Sequence, residues 1–162
     1  MALTLSILYR GPLSSCNYAC GYCPFAKHTE TREEHERDRL ALERFVGWVG
    51  ERRGDAISVL FTPWGEALVR ARYQEALVAL TNMPHVARAA IQTNLSCRLD
   101  WVERCDKCKL ALWATFHPGE TTRARFLAKC LDLDRRGVRF SVGVVGMKEH
   151  ADEIEALRRE LP

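Results

Sequence analysis

Five short apolar runs punctuate the chain, at residues 3–9, 57–62, 87–93, 110–115 and 138–145. They are rich in β-branched residues and near-continuously apolar rather than alternating, the pattern of parallel strands covered on both faces. Stretches of helical period separate them. Leu42, Phe45, Val46 and Val49 recur at i, i+3, i+4 and i+7 and make one buried stripe. Phe126, Cys130 and Leu133, with Leu127 and Leu131, make another, and residues 151–160 read as a last helix. Gly54 and Gly137 stand where helices should stop, supplying the left-handed conformation that a helix end favours. Thr121 and Thr122, just after Pro118-Gly119, offer an N-cap for the helix that follows.

This β-α alternation predicts an α/β fold with a parallel sheet, its helices outside a barrel or on both faces of an open sheet. The count is five strands and five helices. A complete eight-unit barrel takes about 250 residues, so the expectation is a partial (β/α) barrel of about five parallel strands with outer helices. No low-complexity segment or linker divides residues 1–162, which are read as one domain.

Composition changes this picture little. The 162 residues are 47% hydrophobic and 28% charged with a formal charge of +3, ordinary for a globular domain. Basic and acidic residues are interleaved, so nucleic acid is not indicated. No apolar run approaches the roughly 20 residues of a membrane helix. Residues 1–9 lack a charged start and Arg10 follows directly, so this stretch reads as a first strand and not an export signal. The expected compartment is the cytoplasm, where seven cysteines are reduced thiols or metal ligands rather than a disulfide framework. Residues 31–39, dense in charge with Glu33, Glu34, Glu36, Arg37, Asp38 and Arg39, read as the exposed start of the first helix.

The candidate chemistry lies in Ser15-Cys16-Asn17-Tyr18-Ala19-Cys20-Gly21-Tyr22-Cys23-Pro24. It follows the first strand and precedes any helix, so the three thiols sit on a loop that can wrap a cuboidal cluster. Iron–sulfur clusters are normally held by four cysteines; three imply either an open iron or a distant fourth ligand. The alternatives are a zinc site, which needs four ligands and could recruit His28 or Cys97, and inert buried thiols. Cys105-x2-Cys108 has no second pair beside it, and Cys130 lies on a helical stripe; all three read as free thiols.

The Cys16-x3-Cys20-x2-Cys23 spacing, the aromatic Tyr22 before the last cysteine and the position after the first strand resemble the radical S-adenosylmethionine (SAM) superfamily. The resemblance implies a [4Fe–4S] cluster on Cys16, Cys20 and Cys23. The open iron would chelate the amino and carboxylate groups of SAM, and Tyr22 would pack near the adenine. Each later strand end carries a matching segment. Thr62-Pro63-Trp64-Gly65-Glu66 resembles the family's Gly-Gly-Glu, with Trp64 in place of the first glycine; Gly65 and Glu66 would bind the methionine amino group. Gln92-Thr93-Asn94 resembles Thr-Asn-Gly, with Leu95 at the glycine. Thr115 and His117 stand where the family binds the SAM ribose or carboxylate. Val144, within residues 142–149, takes the isoleucine place of Gly-x-Ile-x-Gly-x-x-Glu, whose main chain meets adenine.

What the resemblance implies is reductive cleavage of SAM to a 5′-deoxyadenosyl radical that abstracts hydrogen from a substrate, with an electron from a flavodoxin or ferredoxin-like donor. A peptide or small-molecule substrate is favoured because no basic surface is visible. Residues 11–15 and 61–68 also resemble a bacterial subgroup with no assigned reaction, whose chains are longer; on that likeness this chain is an N-terminal portion, and no catalytic acid or base is named. A non-enzymatic zinc- or iron–sulfur-binding domain is the alternative.

Overall fold

The apolar runs fold as strands: β1 (Thr4–Tyr9), β2 (Ala56–Phe61), β3 (Val86–Thr93), β4 (Leu110–Phe116) and β5 (Arg139–Val144). They form one sheet in the order β1-β2-β3-β4-β5, every neighbouring pair parallel. The computed structural model describes residues 2–25 and 28–161, so Met1 and Pro162 lie outside the described residues.

Each parallel neighbour requires a crossover. Helix α1 (Arg32–Glu51) joins β1 to β2, α2 (Ala71–Thr81) joins β2 to β3, and α3 (Arg123–Arg135) joins β4 to β5; α4 (Ala151–Glu160) follows β5. The described residues therefore hold four α-helices and not the expected five. Between β3 and β4 the chain makes a 3-10 helix, Asp100–Arg104. Leu99, Val102 and Cys105, three residues apart, are all buried there, the eclipsed spacing of a 3-10 turn rather than the 3.6 period of an α-helix.

The expectation of cover on both sheet faces is also corrected. One parity of side chains, including Ile57, Val59, Phe61, Ala89, Ile91, Leu110 and Leu112, is buried in a single core with Leu42, Val49, Leu77, Leu80, Phe126, Cys130 and Leu133 from the helices. The other parity lies open, with Leu8 71% and Trp113 47% exposed. Apolar residues occupy both parities, so the alternation is not visible in the sequence. The helices lie outside a partial β/α barrel, and the open face is the barrel's inner wall.

Helix ends follow local chemistry. Thr31 opens α1 with a capping box: its hydroxyl accepts from Glu34 N–H at 3.2 Å while Glu34 Oε2 accepts from Thr31 N–H at 2.7 Å. Thr122, of the two candidate threonines, caps α3 by accepting from Arg125 N–H. Gly137 adopts φ +69 after α3, as expected; Gly54 is not left-handed, and α1 ends instead at Arg52.

The charged start of α1 is not wholly exposed. Asp38 is fully buried, accepting from Arg72 Nε at 2.8 Å, Arg72 Nη2 at 2.6 Å and Tyr73 Oη at 2.7 Å. This group fastens α1 to α2. No helix among the described residues is long and apolar enough to cross a membrane.

Removing the carboxylate strands a half-buried guanidinium and a buried phenol. Asp38→Ala is expected to lower stability by about 3–5 kcal/mol, read as a reduced urea midpoint; an unchanged midpoint would show that this buried pair does not hold the two helices.

Candidate cofactor-binding site

The carboxyl ends of β1 to β4 converge on a cavity of about 190 Å³. The loop after β1 contributes Cys16, Tyr18, Cys20, Cys23 and Phe25 to its lining. The segment after β2 brings Pro63, Trp64, Gly65 and Glu66, β3 brings Gln92, Thr93 and Asn94, and β4 brings Thr115 and His117. Of the residues singled out in the sequence, Tyr22 stands just outside the lining, behind His117. Val144 does not reach the cavity; its side chain packs on the core behind β5. Four strand ends therefore meet at the site and not five.

The three thiols share the cavity because the loop is clamped at both ends. Cys23 N–H donates to Cys20 O at 3.1 Å, turning the chain through Gly21-Tyr22. At the base, the buried Glu30 accepts from Ser14 N–H at 2.7 Å on Oε1 and from Ser15 Oγ–H at 2.6 Å on Oε2. Nδ1 of His35 lies 3.1 Å from Oε2, and Arg70 Nη2 donates to Ser15 Oγ at 3.1 Å. Burial pushes the Glu30 carboxyl up, but the bonds from Ser15 and Ser14, with His35 and Arg70 nearby, outweigh it and hold the group below the usual range. Glu30 was missed in the sequence, since its partners lie 15 and 16 residues away in a loop without periodicity.

Gly65 has a strict steric reason. A Cβ there would fall 1.8 Å from Ser15 O and 2.4 Å from Ser15 C. The next residue uses that contact: Glu66 N–H donates to Ser15 O at 3.0 Å. The backbone approached by this glycine is the chain's own cysteine loop.

Glu66 is 2% exposed. Its Oε1 accepts from Leu68 N–H at 3.0 Å and Thr93 Oγ1–H at 2.8 Å, and its Oε2 from Asn94 N–H at 2.5 Å. Burial nevertheless dominates and pushes the carboxyl up to about 7. Asn94 carries the connection onward: its Nδ2 donates to Asn17 Oδ1 at 3.1 Å and lies 3.9 Å from Cys16 Sγ. Leu95, at the place where the resemblance expects glycine, has φ +61. A leucine in that region bears strain of roughly 1–2 kcal/mol; the bond from Leu95 N–H to Thr93 Oγ1 at 2.9 Å and the burial of its side chain hold it there.

On the opposite wall, His117 Nδ1 lies 2.7 Å from Tyr22 Oη and 3.5 Å from Cys20 Sγ. Burial lowers the His117 pKa, against a smaller opposing effect of Glu120. Burial also raises the thiols of Cys16 and Cys20. Trp64, in place of a glycine, stacks on Phe25 at 5.3 Å with the Arg10 guanidinium 5.6 Å from its ring, forming an aromatic rim.

The other candidates fall elsewhere. Cys97 faces a separate depression beside Trp101, and His28 meets Ser14 Oγ at 3.2 Å with its side chain 54% exposed. Cys105 and Cys130 are buried and Cys108 is exposed. Among the described residues, no three His, Cys, Asp or Glu side chains gather closely enough to hold a single ion.

A parallel sheet with helices on its outer face and a polar mouth at its carboxyl ends makes this a partial β/α barrel. Among solved structures, the radical SAM enzyme BtrN has the same fold. The crystal structure of BtrN in complex with AdoMet and 2-DOIA matches with TM-score 0.57 at 19% identity, over 87% of this chain and 56% of that one. BtrN in an open conformation matches with TM-score 0.50 at 16% identity over the same shares. This chain thus spans little more than half the length of the structures it matches. No protein-family model and no curated protein sequence matches it.

Two outcomes test this construction. A carboxyl raised from its unfolded 4.5 to about 7 binds its proton more tightly in the folded state. Its stabilising contribution is complete below the unfolded value and fades as pH rises towards 7, by roughly 3 kcal/mol in all. Urea midpoints measured between about pH 5 and about pH 8 should therefore fall less steeply in Glu66→Gln than in the parent; equal slopes would refute the assignment. Gly65→Ala should cost at least the roughly 1–3 kcal/mol of an overpacked core, and an unperturbed midpoint would contradict the contact with Ser15.

Proposed function

We propose that this chain is the core of a radical SAM enzyme, in which Cys16, Cys20 and Cys23 hold a [4Fe–4S] cluster and the surrounding strand ends hold S-adenosylmethionine. One observation carries the reading: three thiols from one short loop face the same cavity as polar groups from three other strand ends. Soft thiolate donors suit iron–sulfur clusters. Three thiols that face one cavity can supply three thiolate donors to such a cluster. The BtrN structure named for its AdoMet complex shares the fold and supports the same ligand here.

When bound and reduced, such a cluster supplies the electron that cleaves SAM to a 5′-deoxyadenosyl radical able to abstract hydrogen from a substrate. The chain's residues bind, orient and shield. Glu66 Oε2 accepts one bond from the chain and retains capacity for the methionine ammonium; a cation there would draw its raised carboxyl back to the charged form. Asn94 positions Cys16 and Asn17 rather than offering a free amide, since its Oδ1 accepts from Ser96 N–H at 3.0 Å and its Nδ2 is bonded to Asn17. Thr115 and the Nε2 side of His117 present polar groups to the ribose or carboxylate. Gly65 lets the strand-two segment approach the cysteine loop closely; contact of the adenine with Tyr22 and with the main chain at Val144, which the resemblance implies, is part of the same proposal.

The electron comes from outside, from a flavodoxin or ferredoxin-like partner. A peptide or small molecule is the substrate class. The open inner wall, with Leu8 and Trp113 exposed, gives that substrate an apolar surface.

Anaerobic reconstitution with iron and sulfide tests the reading. The expected results are about four irons per chain, an EPR signal of the reduced cluster that SAM alters, and release of 5′-deoxyadenosine with dithionite. Cys16→Ala, Cys20→Ala and Cys23→Ala should each remove the signal. Iron content and SAM affinity that survive all three replacements would refute it.

A further inference from the structure

Tyr22 and His117, 95 residues apart in the sequence, meet on one wall of the cavity. The imidazole is tightly fixed. Tyr22 lies nearly parallel to it, with centroids 6.2 Å apart and planes 11° apart, and Tyr18 meets it edge-on at 5.8 Å. Three polar atoms then cluster: Tyr22 Oη is 2.7 Å from His117 Nδ1, Cys20 Sγ is 3.5 Å from the same nitrogen, and the Tyr22 hydroxyl also bonds to that sulfur. Cys16 sits in different company, 3.4 Å from the Tyr18 amide and 3.9 Å from Asn94 Nδ2. Cys23 lies 3.5 Å from Phe25 O, an acceptor. A phenol and an imidazole are thus aimed at one thiol of the three.

A thiol can donate to either group, but a thiolate bound to iron has no proton and can only accept. With Cys20 as a ligand, the sulfur accepts from this pair when His117 carries its proton on Nδ1: Nδ1–H donates to Tyr22 Oη while the phenol donates to the sulfur, or Nδ1–H itself reaches the sulfur. In the other tautomer Nδ1 accepts from the phenol and the sulfur receives neither bond, so the Nδ1–H form is part of the inference. We propose that Tyr22 and His117 act as one hydrogen-bond-donating unit on the Cys20 sulfur, raising the reduction potential of the cluster bound there. This rests on the cluster reading above and gives both residues a role distinct from contact with SAM.

The physical cause is the charge added on reduction. An extra electron makes the ligand sulfurs richer in negative charge, so a donor on one of them stabilises the reduced form more than the oxidised form. Cluster potentials respond to hydrogen bonds of this kind, and groups that support a ligand tune a metal centre as the ligands do. Tyr22 and His117 are positioning residues in this role. Their effect lets an external donor of moderate potential reduce the centre.

The test is an EPR-monitored redox titration of the reconstituted chain without SAM, beside a measured iron content. Tyr22→Phe removes only the hydroxyl and is the decisive variant; its midpoint should be more negative than that of the parent at equal iron content. His117→Ala should move the midpoint the same way. The double variant should shift by less than the sum of the two, because the groups act through one hydrogen-bonded chain. His117→Gln, which keeps an N–H donor, should recover part of the shift. A cluster that assembles normally and titrates at the parent potential in Tyr22→Phe overturns the inference and leaves the cluster reading intact. A parent chain that takes up no cluster overturns both.

Discussion

The buried carboxylate of Glu66 is the knot on which the site depends. Its backbone amide binds the cysteine loop at Ser15, and its two oxygens bind its own segment and the end of β3. Asn94 then relays β3 back to Asn17 and Cys16. The loop is therefore gripped by two routes that begin at one residue. Gly65 is what allows the first route, since any side chain there would occupy the position of the Ser15 backbone. Three strand ends that share no covalent connection at the mouth are held in register by a few buried polar bonds. Such networks are rigid when every member has a partner, and a loop that must present thiols to an inorganic core requires that rigidity.

Around this knot the molecule separates support from chemistry. The helix-covered face is dry and continuous, from Leu42 and Val49 through Phe61 to Phe126 and Leu133. The inner face carries small and polar residues interspersed with large apolar ones such as Leu8, Leu60 and Trp113, and stays open. The Asp38 group with Arg72 and Tyr73 fixes the first two helices on the outer side. Burial that stabilises the fold and exposure that serves the site thus fall on opposite parities of the same strands.

Much of this was legible in the sequence. Strands need short apolar runs, and all five runs became strands within a residue or two. The cysteine spacing and the polar residues after strands one to four were brought to one cavity as their placement in a parallel α/β fold implies. What could not be read was long-range. The inner parity of the strands still contains Leu8, Leu60 and Trp113, so the open face is masked by apolar side chains. Asp38 looked like one more surface charge because its partners lie 34 and 35 residues away. The β3–β4 crossover has buried residues at a period of three, too short a stretch to separate from an α-helix by composition. Glu30 carried no local signal at all. At Gly65 and Leu95 the local constraints, a close backbone approach and a positive φ, became visible only in three dimensions.

The order in which the site's parts occur along the chain bears on how it is made. The clasp from Glu30 to Ser14 and Ser15 closes over about fifteen residues and can form as soon as that stretch leaves the ribosome. The wall that shelters Cys20 comes from His117, 97 residues downstream. At 5–20 residues per second that interval is roughly 5 to 20 s. During it the Cys20 thiol lacks that wall and is open to oxidants that convert thiols to sulfenic acid and beyond. Nascent chains of this design thus have a vulnerable interval during synthesis, and anaerobic expression protects them from it.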